Sequence, residues 1–155
     1  MSDFHLLLEE EIPRLMRYAS ALTRDTDTAA ELVEGTVCDA LAEERRRSGN
    51  LRVWLLTILH DLRANPFRLS FEAAAPVADP KAQLTLSQLD RALGQLSEEQ
   101  RAVILLIGLE GMSPSETATI LRITLGTLRS RLSRARAALR RAMGIEDAVR
   151  VPHAA

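Results

Sequence analysis

The sequence predicts an all-α protein built from two small helical domains. Aromatic residues make up only 3 % of the 155 residues, and leucine and alanine dominate, a composition typical of helices that pack aliphatic side chains. Several segments repeat apolar residues with helical spacing, and no segment alternates apolar and polar residues as a strand would. From Pro66 to about Ala82 this periodicity disappears and prolines cluster, which predicts a linker between two helical halves.

Three segments in the first half repeat apolar residues along one helix face. The apolar residues of these predicted helices are, in chain order, Ile12, Leu15, Met16, Ala19 and Leu22, then Leu32, Val33, Val37, Ala40 and Leu41, then Leu51, Trp54, Leu55, Ile58, Leu59 and Leu62. The run from Glu9 to Glu11 indicates a solvated, fraying helix start. Cys38, the single cysteine, falls on the second pattern and is interpreted as a packing residue rather than a nucleophile.

The second half contains two sequence signals for helix starts. Ser97 with Gln100, and Ser113 with Glu116, each fit a capping box, in which two side chains bond each other's backbone N–H groups. Pro114 occupies the first helical position after Ser113, where its missing N–H loses no hydrogen bond. Apolar residues with helical spacing surround these signals: Leu86, Leu89, Leu93 and Leu96, the run 102–107, Ala118 and Leu121, and finally Leu125, Leu128, Leu132, Ala135 and Leu139.

Positive charge is concentrated near the end of the chain. The whole chain has a formal net charge of −1, and its first 65 residues carry twelve acidic against eight basic side chains. No acidic residue lies between Glu116 and Glu146, and the arginines in that interval are Arg122, Arg129, Arg131, Arg134, Arg136, Arg140 and Arg141. A basic helix that Thr124 can cap, directly behind a short capped helix, is the pattern of a helix-turn-helix that enters the major groove.

The apolar line of the last helix leaves an opposite face for DNA. Residues near the start of such a helix can reach base edges, whereas residues further along meet phosphates. We therefore predict base reading by Thr127, Ser130, Arg131 and Arg134, and phosphate contacts by Arg129, Arg136, Arg140 and Arg141. Arg122 falls in the turn and is predicted to touch the DNA backbone. Small side chains at Gly126, Ser130 and Ser133 would let the helix approach the groove closely.

A basic run is also typical of a solvated helix, or of a helix that pairs with an acidic protein. The capped short helix in front of this run favours DNA over those alternatives.

The sequence contains no pattern for catalysis, cofactors, metals or membranes. It lacks a phosphate loop, a dinucleotide-binding glycine motif and a nucleophile elbow, so we predict no enzymatic activity, no catalytic residue and no cofactor. His5, His60 and His153 lack ligand spacing, and no metal site is predicted. The apolar runs are too short to cross a bilayer, and the acidic N-terminus does not fit a secretory signal. These features predict a cytoplasmic protein without a membrane partner.

Residues 96–141, from LSEEQRAVILL to ARAALRR, resemble region 4 of bacterial extracytoplasmic-function sigma factors, and GTLRSRLSRARAALR is the most specific part. The stretch LLIGLEGMS is similar to the subgroup that runs the general stress response of alphaproteobacteria. The first half resembles region 2 through LMRYASALTRDTDTAAELVEGTVCDAL and LRVWLLTILHDLRAN. The resemblance implies a region 2-like domain over 1–65, a linker over 66–85, a region 4-like helix-turn-helix domain over 86–145 and a tail over 146–155.

The resemblance implies a function in transcription initiation. In this family, region 2 binds core RNA polymerase and opens the −10 promoter element, and region 4 reads the −35 element. By their positions on the family's polymerase-binding helix, the residues implied to contact polymerase are Glu31, Leu32, Glu34, Thr36 and Asp39. The usual regulator is an anti-sigma factor. The implied partners are therefore core RNA polymerase, promoter DNA and an anti-sigma factor.

The first half departs from the family pattern at several positions. Gly35 replaces an acid that is usual on the polymerase-binding helix and costs about 1 kcal/mol of helix stability relative to alanine. Asp39 stands where a basic residue is common. After the tryptophan helix the family usually continues with arginines that approach promoter DNA, whereas this chain continues with HDLRANP, residues 60–66.

These departures keep two alternatives open: a sigma-factor mimic that sequesters an anti-sigma factor, and a plain helix-turn-helix regulator. Such mimics usually carry a receiver domain, which this sequence lacks, and tend to lose the basic recognition helix, which it keeps. Both features favour a sigma factor that binds DNA.

Overall fold

The computed structural model describes residues 2–65 and 87–145, and within these ranges the chain is helical without any strand. The helices are α1 (Asp3–Thr23), α2 (Thr26–Ala42), α3 (Leu51–Ala64), α4 (Ser87–Gln95), α5 (Glu98–Ile104), α6 (Pro114–Leu121) and α7 (Leu125–Ala142). A 3-10 turn, Glu44–Arg46, follows α2, and a π-helical segment, Leu105–Leu109, continues α5 directly. The all-α prediction is confirmed. The predicted linker, the tail, Leu86 and His153 lie outside the described residues.

Helices α1, α2 and α3 pack against one another as a first unit. Side-chain caps fix where α2 and α3 begin: the Asp25 carboxylate accepts a hydrogen bond from the Asp27 N–H, and the Asn50 side chain accepts from two N–H groups at the start of α3. The predicted apolar faces form the core of this unit, with Leu15, Leu32 and Leu59 among its fully buried side chains.

The start of α1 differs from the sequence prediction. The helix begins at Asp3 rather than fraying around Glu9–Glu11, because Phe4 and Leu8 are buried and anchor the first two turns. Glu11 therefore lies in the middle of the helix, where Arg52 donates two hydrogen bonds of 3.0 and 2.9 Å to its carboxylate. These bonds lower the pKa of Glu11 below its usual value.

A few predicted packing positions are exposed instead. Leu41, Leu89 and Leu125, which each lie within three residues of a helix end, retain about two fifths of their surface. Cys38 is also exposed, so the prediction that it packs in the core was wrong.

Helices α4 to α7 form a second unit, in which α7 packs against α4, α5 and α6. Both capping boxes are present: Gln100 with Ser97 before α5, and Glu116 with Ser113 before α6. Gly111, which follows the π-helical segment, has φ +65°, a left-handed conformation that glycine adopts without steric cost. The chain can therefore turn sharply from the buried helix α5 into the helix-turn-helix.

The two units share one apolar core. A single buried cluster joins Leu22 of α1, Leu59 of α3, Ala102 of α5 and Ile120 of α6. Helix α3 also packs along α6, and α1 contacts α5 and the π-helical segment. The helix-turn-helix consequently rests on the C-terminal end of α3. Within the described ranges, none of the helices is long and apolar enough to span a membrane.

Candidate nucleic-acid interface

Helices α6 and α7 form a helix-turn-helix whose turn is fixed by local hydrogen bonds. The turn begins at Arg122, which has a left-handed backbone conformation with φ +54°. The Ile123 N–H donates to the carbonyl of Ala118 at 3.0 Å, and the Thr124 hydroxyl accepts from the Thr127 N–H at 3.1 Å. The predicted Thr124 cap is confirmed, and it defines the direction in which α7 leaves the turn.

The two faces of α7 have opposite character. Leu128 and Ala135 are buried against the rest of the second unit. Leu132 packs on the small apolar cluster that Leu128 forms with Val103 and Ala118. The predicted DNA-binding residues that are exposed are Thr127, Arg129, Ser130, Ser133, Arg134, Arg136, Arg140 and Arg141. From Thr127 to Arg141 the helix therefore presents a polar and basic surface, and its full 18 residues span about 27 Å at about 1.5 Å per residue.

A polar groove of about 440 Å³ runs between this surface and the start of α5. Thr127, Ser130 and Arg134 line one side, and Ser97 and Gln100 line the other. The sequence analysis assigned no nucleic-acid role to Ser97 or Gln100. They were recognised only as a helix cap, and their proximity to α7 depends on tertiary packing.

Two predicted DNA-binding arginines are engaged within the protein. Arg122 makes a bidentate ion pair with Asp61 of α3, in which the Nε–Oδ1 and Nη2–Oδ2 distances are both 2.7 Å. This pairing raises the pKa of the Arg122 guanidinium. The Arg131 side chain is one quarter exposed, and its Nη2 lies 3.7 Å from Glu99 Oε2. Arg131 therefore points toward α5 rather than directly outward, and neither carboxylate partner was anticipated from the sequence.

The predicted polymerase-contact residues on α2 fall into two groups. Glu34 is exposed, and Glu31 and Asp39 are partly exposed, so these three acids lie at the surface. Leu32 and Thr36 are completely buried, and the Thr36 hydroxyl donates to the Leu32 carbonyl at 2.6 Å. Leu32 and Thr36 therefore hold α2 in place and cannot reach a partner from the folded state.

The remaining candidate residues are possible metal ligands, above all the histidines. In the described part of the chain, His, Cys, Asp and Glu side chains do not gather in threes or more where a metal ion could bind. His60 contacts Tyr18 instead, with 2.7 Å between the imidazole Nε2 and the phenol oxygen, which share a hydrogen bond. Burial lowers the pKa of His60 to about 4, so the imidazole is neutral near pH 7.

Two family models match the chain, one in each of its two helical units. The model for sigma-70 region 4 matches residues 86–139, which include the whole helix-turn-helix. The model for the sigma2 domain of PhyR matches residues 8–60, from α1 into α3.

Curated proteins and solved structures match nearly the whole chain. The sigma factor EcfG of Rhodopseudomonas palustris is 30 % identical over 150 residues, which span 88 % of this chain and 83 % of that protein. The sigma factor SigM of Mycobacterium tuberculosis is 34 % identical over 149 residues, spanning 86 % and 72 % of the two chains. Bartonella quintana RpoE, solved in complex with the anti-sigma factor NepR, superposes with a TM-score of 0.77 at 31 % identity, covering 94 % of this chain and 99 % of RpoE. The chain therefore belongs to the extracytoplasmic-function family of RNA polymerase sigma factors.

Proposed function

We propose that this chain binds core RNA polymerase through the acidic surface of α2 and directs it to promoters by reading the −35 element with α7. The observation that carries the proposal is the exposed basic face of α7 on a capped helix-turn-helix, within the segment that matches sigma-70 region 4. Membership in the sigma-factor family supplies the wider activity: promoter-specific initiation by core polymerase.

Position along and around α7 separates base reading from phosphate binding. Thr127, Ser130 and Arg134 lie within the first ten residues of the helix and line the polar groove, where they would face base edges, whereas Arg129 does not line that groove. Arg131 joins them after leaving Glu99, a pair whose 3.7 Å separation and exposed carboxylate make it weak. Phosphate contacts are proposed for Arg129, Arg136, Arg140 and Arg141. The small side chain of Ser133 lies among them and would let the DNA approach the helix closely.

On α2, the proposed polymerase contact consists of Glu31, Glu34 and Asp39. Glu31 and Glu34 are one helical turn apart and therefore share a face. Leu32 and Thr36 contribute indirectly, because their burial fixes that face relative to α1 and α3. An acidic surface of this kind would dock on a basic surface of polymerase.

The proposal includes the division of the chain and its regulation. Residues 1–65 act as the polymerase-binding domain, 66–85 as the linker, 86–145 as the −35-binding domain and 146–155 as a tail. Because RpoE was solved with the anti-sigma factor NepR, we include an anti-sigma factor among the partners of this chain. The proposed location is the cytoplasm, where core polymerase and the promoter are found, and the proposed activity is not enzymatic.

A second candidate is a mimic that sequesters an anti-sigma factor, which the departures of the first half from the family pattern, such as Gly35 and Asp39, keep open. The exposed basic face of α7 favours the sigma factor. Transcription from genomic promoter fragments by core polymerase, with and without the purified chain, separates the two candidates. A sigma factor yields promoter-specific transcripts; a mimic binds an anti-sigma factor and yields none.

Replacing Arg134 with alanine is expected to weaken binding to the −35 element by about 1–3 kcal/mol, the usual contribution of a good base contact. The matched control is Arg45→Ala, which removes the same charge from the exposed 3-10 turn of the first unit. Both variants are titrated with promoter DNA at one fixed salt concentration. Equal losses in the two variants would show that only net charge matters and would contradict base reading by α7.

A further inference from the structure

Glu99 places an acid on the polar groove beside α7. It lies at the start of α5, across the groove from Thr127 and Ser130, and the other residues that line the groove are neutral or basic. Its side chain is 75 % exposed, so the carboxylate meets the space that DNA would enter when α7 reads the −35 element. A negative charge at this position repels the phosphates of any DNA, whatever its sequence.

The carboxylate of Glu99 faces Arg131 of α7. Glu99 Oε2 lies 3.7 Å from Arg131 Nη2, close enough for an ion pair but beyond a direct hydrogen bond. The neighbouring Glu98 differs, because it accepts two hydrogen bonds from Arg63, at 2.6 and 2.8 Å. Glu98 is therefore bonded into the fold, whereas Arg131 can leave Glu99 without breaking a hydrogen bond to it.

The packing of α5 on α7 brings this pair together. Val103 of α5 and Leu128 of α7 are buried in one apolar cluster. Glu99 precedes Val103 by four residues, and Arg131 follows Leu128 by three, so each lies about one helical turn from the buried contact. The two side chains consequently meet at the edge of the groove.

Two further contacts fix the start of α5. Ser97 and Gln100 form its capping box, in which each side chain bonds the backbone N–H of the other residue. The guanidinium of Arg101, a residue that is only 8 % exposed, donates to the carbonyls of Leu93 and Leu96 at 2.9 and 3.0 Å. The backbone at the start of α5 is therefore held in place, and only side-chain rotation separates the two members of the ion pair.

Arg131 lies between two alternative kinds of partner. It follows Thr127 by four residues and precedes Arg134 by three, so these three side chains share one flank of α7, and all three line the groove. The Arg131 side chain is 25 % exposed, and rotation away from Glu99 would carry its guanidinium toward DNA. There a guanine offers two acceptors to an arginine, whereas a phosphate accepts from it beside any sequence.

We propose that Glu99 is a specificity-determining residue, which retains Arg131 on unrelated DNA and releases it where the −35 element presents a base that bonds its guanidinium. This inference rests on the proposed reading of the −35 element by α7. A bidentate bond to guanine outweighs a weak, exposed ion pair, whereas a phosphate only replaces one anion by another. Glu99 therefore weakens binding to unrelated sequences more than binding to the promoter, as a repulsive element that raises specificity does.

The salt dependence of DNA binding tests this role, because its slope reports how many phosphates the protein neutralises. The full-length chain is titrated at a series of salt concentrations with two duplexes. One is the genomic promoter duplex that yields the most transcript, and the other is the same duplex with its −35 segment shuffled. The variant E99Q removes the charge of a largely exposed side chain and keeps its size, so we expect it to fold normally.

On the shuffled duplex, the salt slope of E99Q should be steeper by about 0.9, because the released Arg131 neutralises one more phosphate. At about 0.1 M salt this slope corresponds to about eightfold tighter binding. On the promoter duplex the expected gain is only about threefold, because Arg131 has already left Glu99 there and the variant removes only a weak ion pair. Discrimination between the two duplexes should therefore fall about threefold.

Two comparisons separate this role from a general charge effect. E43Q removes an exposed acid directly after α2 and should leave both affinities and both salt slopes unchanged. In an R131A background, E99Q should no longer steepen the slope on the shuffled duplex, because no arginine remains to be released. If R131A loses helix content, R131Q takes its place.

An unchanged slope for E99Q on the shuffled duplex, or an equal steepening in the R131A background, overturns the proposed role of Glu99. A loss of affinity for the promoter duplex alone also overturns it, because the carboxylate would then accept a hydrogen bond from a base itself. If the wild-type chain binds both duplexes equally, the proposed −35 reading fails. The slopes on the shuffled duplex then still decide whether Glu99 retains Arg131.

Discussion

Reversing the charges of Glu31 and Glu34 is expected to abolish promoter-dependent transcription. Both side chains lie on one face of α2 at the protein surface, while the neighbouring Leu32 and Thr36 are buried and hold that face in position. Two arginines would then oppose a basic polymerase surface, and like charges in a contact cost several kcal/mol. A loss of about 3 kcal/mol corresponds to more than a hundredfold in affinity for core polymerase.

The control is the same double reversal at Glu9 and Glu10, two exposed acids on α1. Circular dichroism should show unchanged helix content in both variants, because neither pair of acids makes an ion pair within the described part of the chain. Polymerase binding and transcript yield should fall only for E31R/E34R. Normal assembly and transcription by that variant would remove the proposed role of α2 and would favour the mimic or the plain regulator.

The starts of α6 and α7 were predictable because the chemistry that fixes them is local. Ser113 and Glu116 lie three residues apart, and Pro114 fits only the first turn, so the start of α6 follows from adjacent residues. Thr124 determines the start of α7 in the same way. The amphipathic spacing of α7 then separates buried Leu128 from the exposed basic face without any knowledge of the rest of the fold.

The contacts between the units were not predictable, because they join residues far apart in the sequence. Arg122 and Asp61 are separated by 61 positions, and Arg63 and Glu98 by 35. In the sequence, Asp61 is part of the HDLRANP segment and indicated only a departure from the arginines that the family usually places there. Its partner became apparent once α6 was found to pack along α3.

Which residues of α2 are buried was also not predictable from the sequence. A resemblance assigns a helix to a function, but it does not separate the residues that face a partner from those that face the core. Thr36 is polar and fits a surface position in the sequence, yet it is completely buried, and its hydroxyl donates to the Leu32 carbonyl one turn earlier. That bond satisfies the hydroxyl within its own helix, so burial leaves it with a partner.

The free energy of unfolding is expected to fall by about 2 kcal/mol between pH 7 and pH 5 through His60 alone. Burial lowers the pKa of His60 from 6.5 to about 4. The unfolded chain therefore binds a proton in this interval that the folded protein excludes. Stability from this group is fully present above about pH 6.5 and is progressively lost as the pH falls toward 4, to a total of about 3 kcal/mol.

The groups around His60 determine the size of this effect but do not reverse it. Asp61 and Glu98 favour the charged imidazole and Arg63 opposes it, but desolvation is the largest influence. Tyr18, whose pKa burial raises well above its usual value, remains a neutral hydrogen-bond partner throughout the interval. Glu110, whose pKa burial also raises, acts in the opposite direction, because its protonation stabilises the folded state as the pH falls.

A comparison with His60→Gln isolates the histidine contribution. Glutamine can still bond the Tyr18 hydroxyl and does not titrate, so the variant should lose about 2 kcal/mol less than the wild type between pH 7 and pH 5. The matched control is His5→Gln, because His5 lies near the start of α1 and its imidazole hydrogen-bonds Ser2 rather than Tyr18. It should follow the wild-type curve. Urea unfolding at a series of pH values measures all three proteins. If the free energy of unfolding of His60→Gln changed with pH in parallel to that of the wild type, burial would not hold His60 neutral. The space around its imidazole would then be open to water.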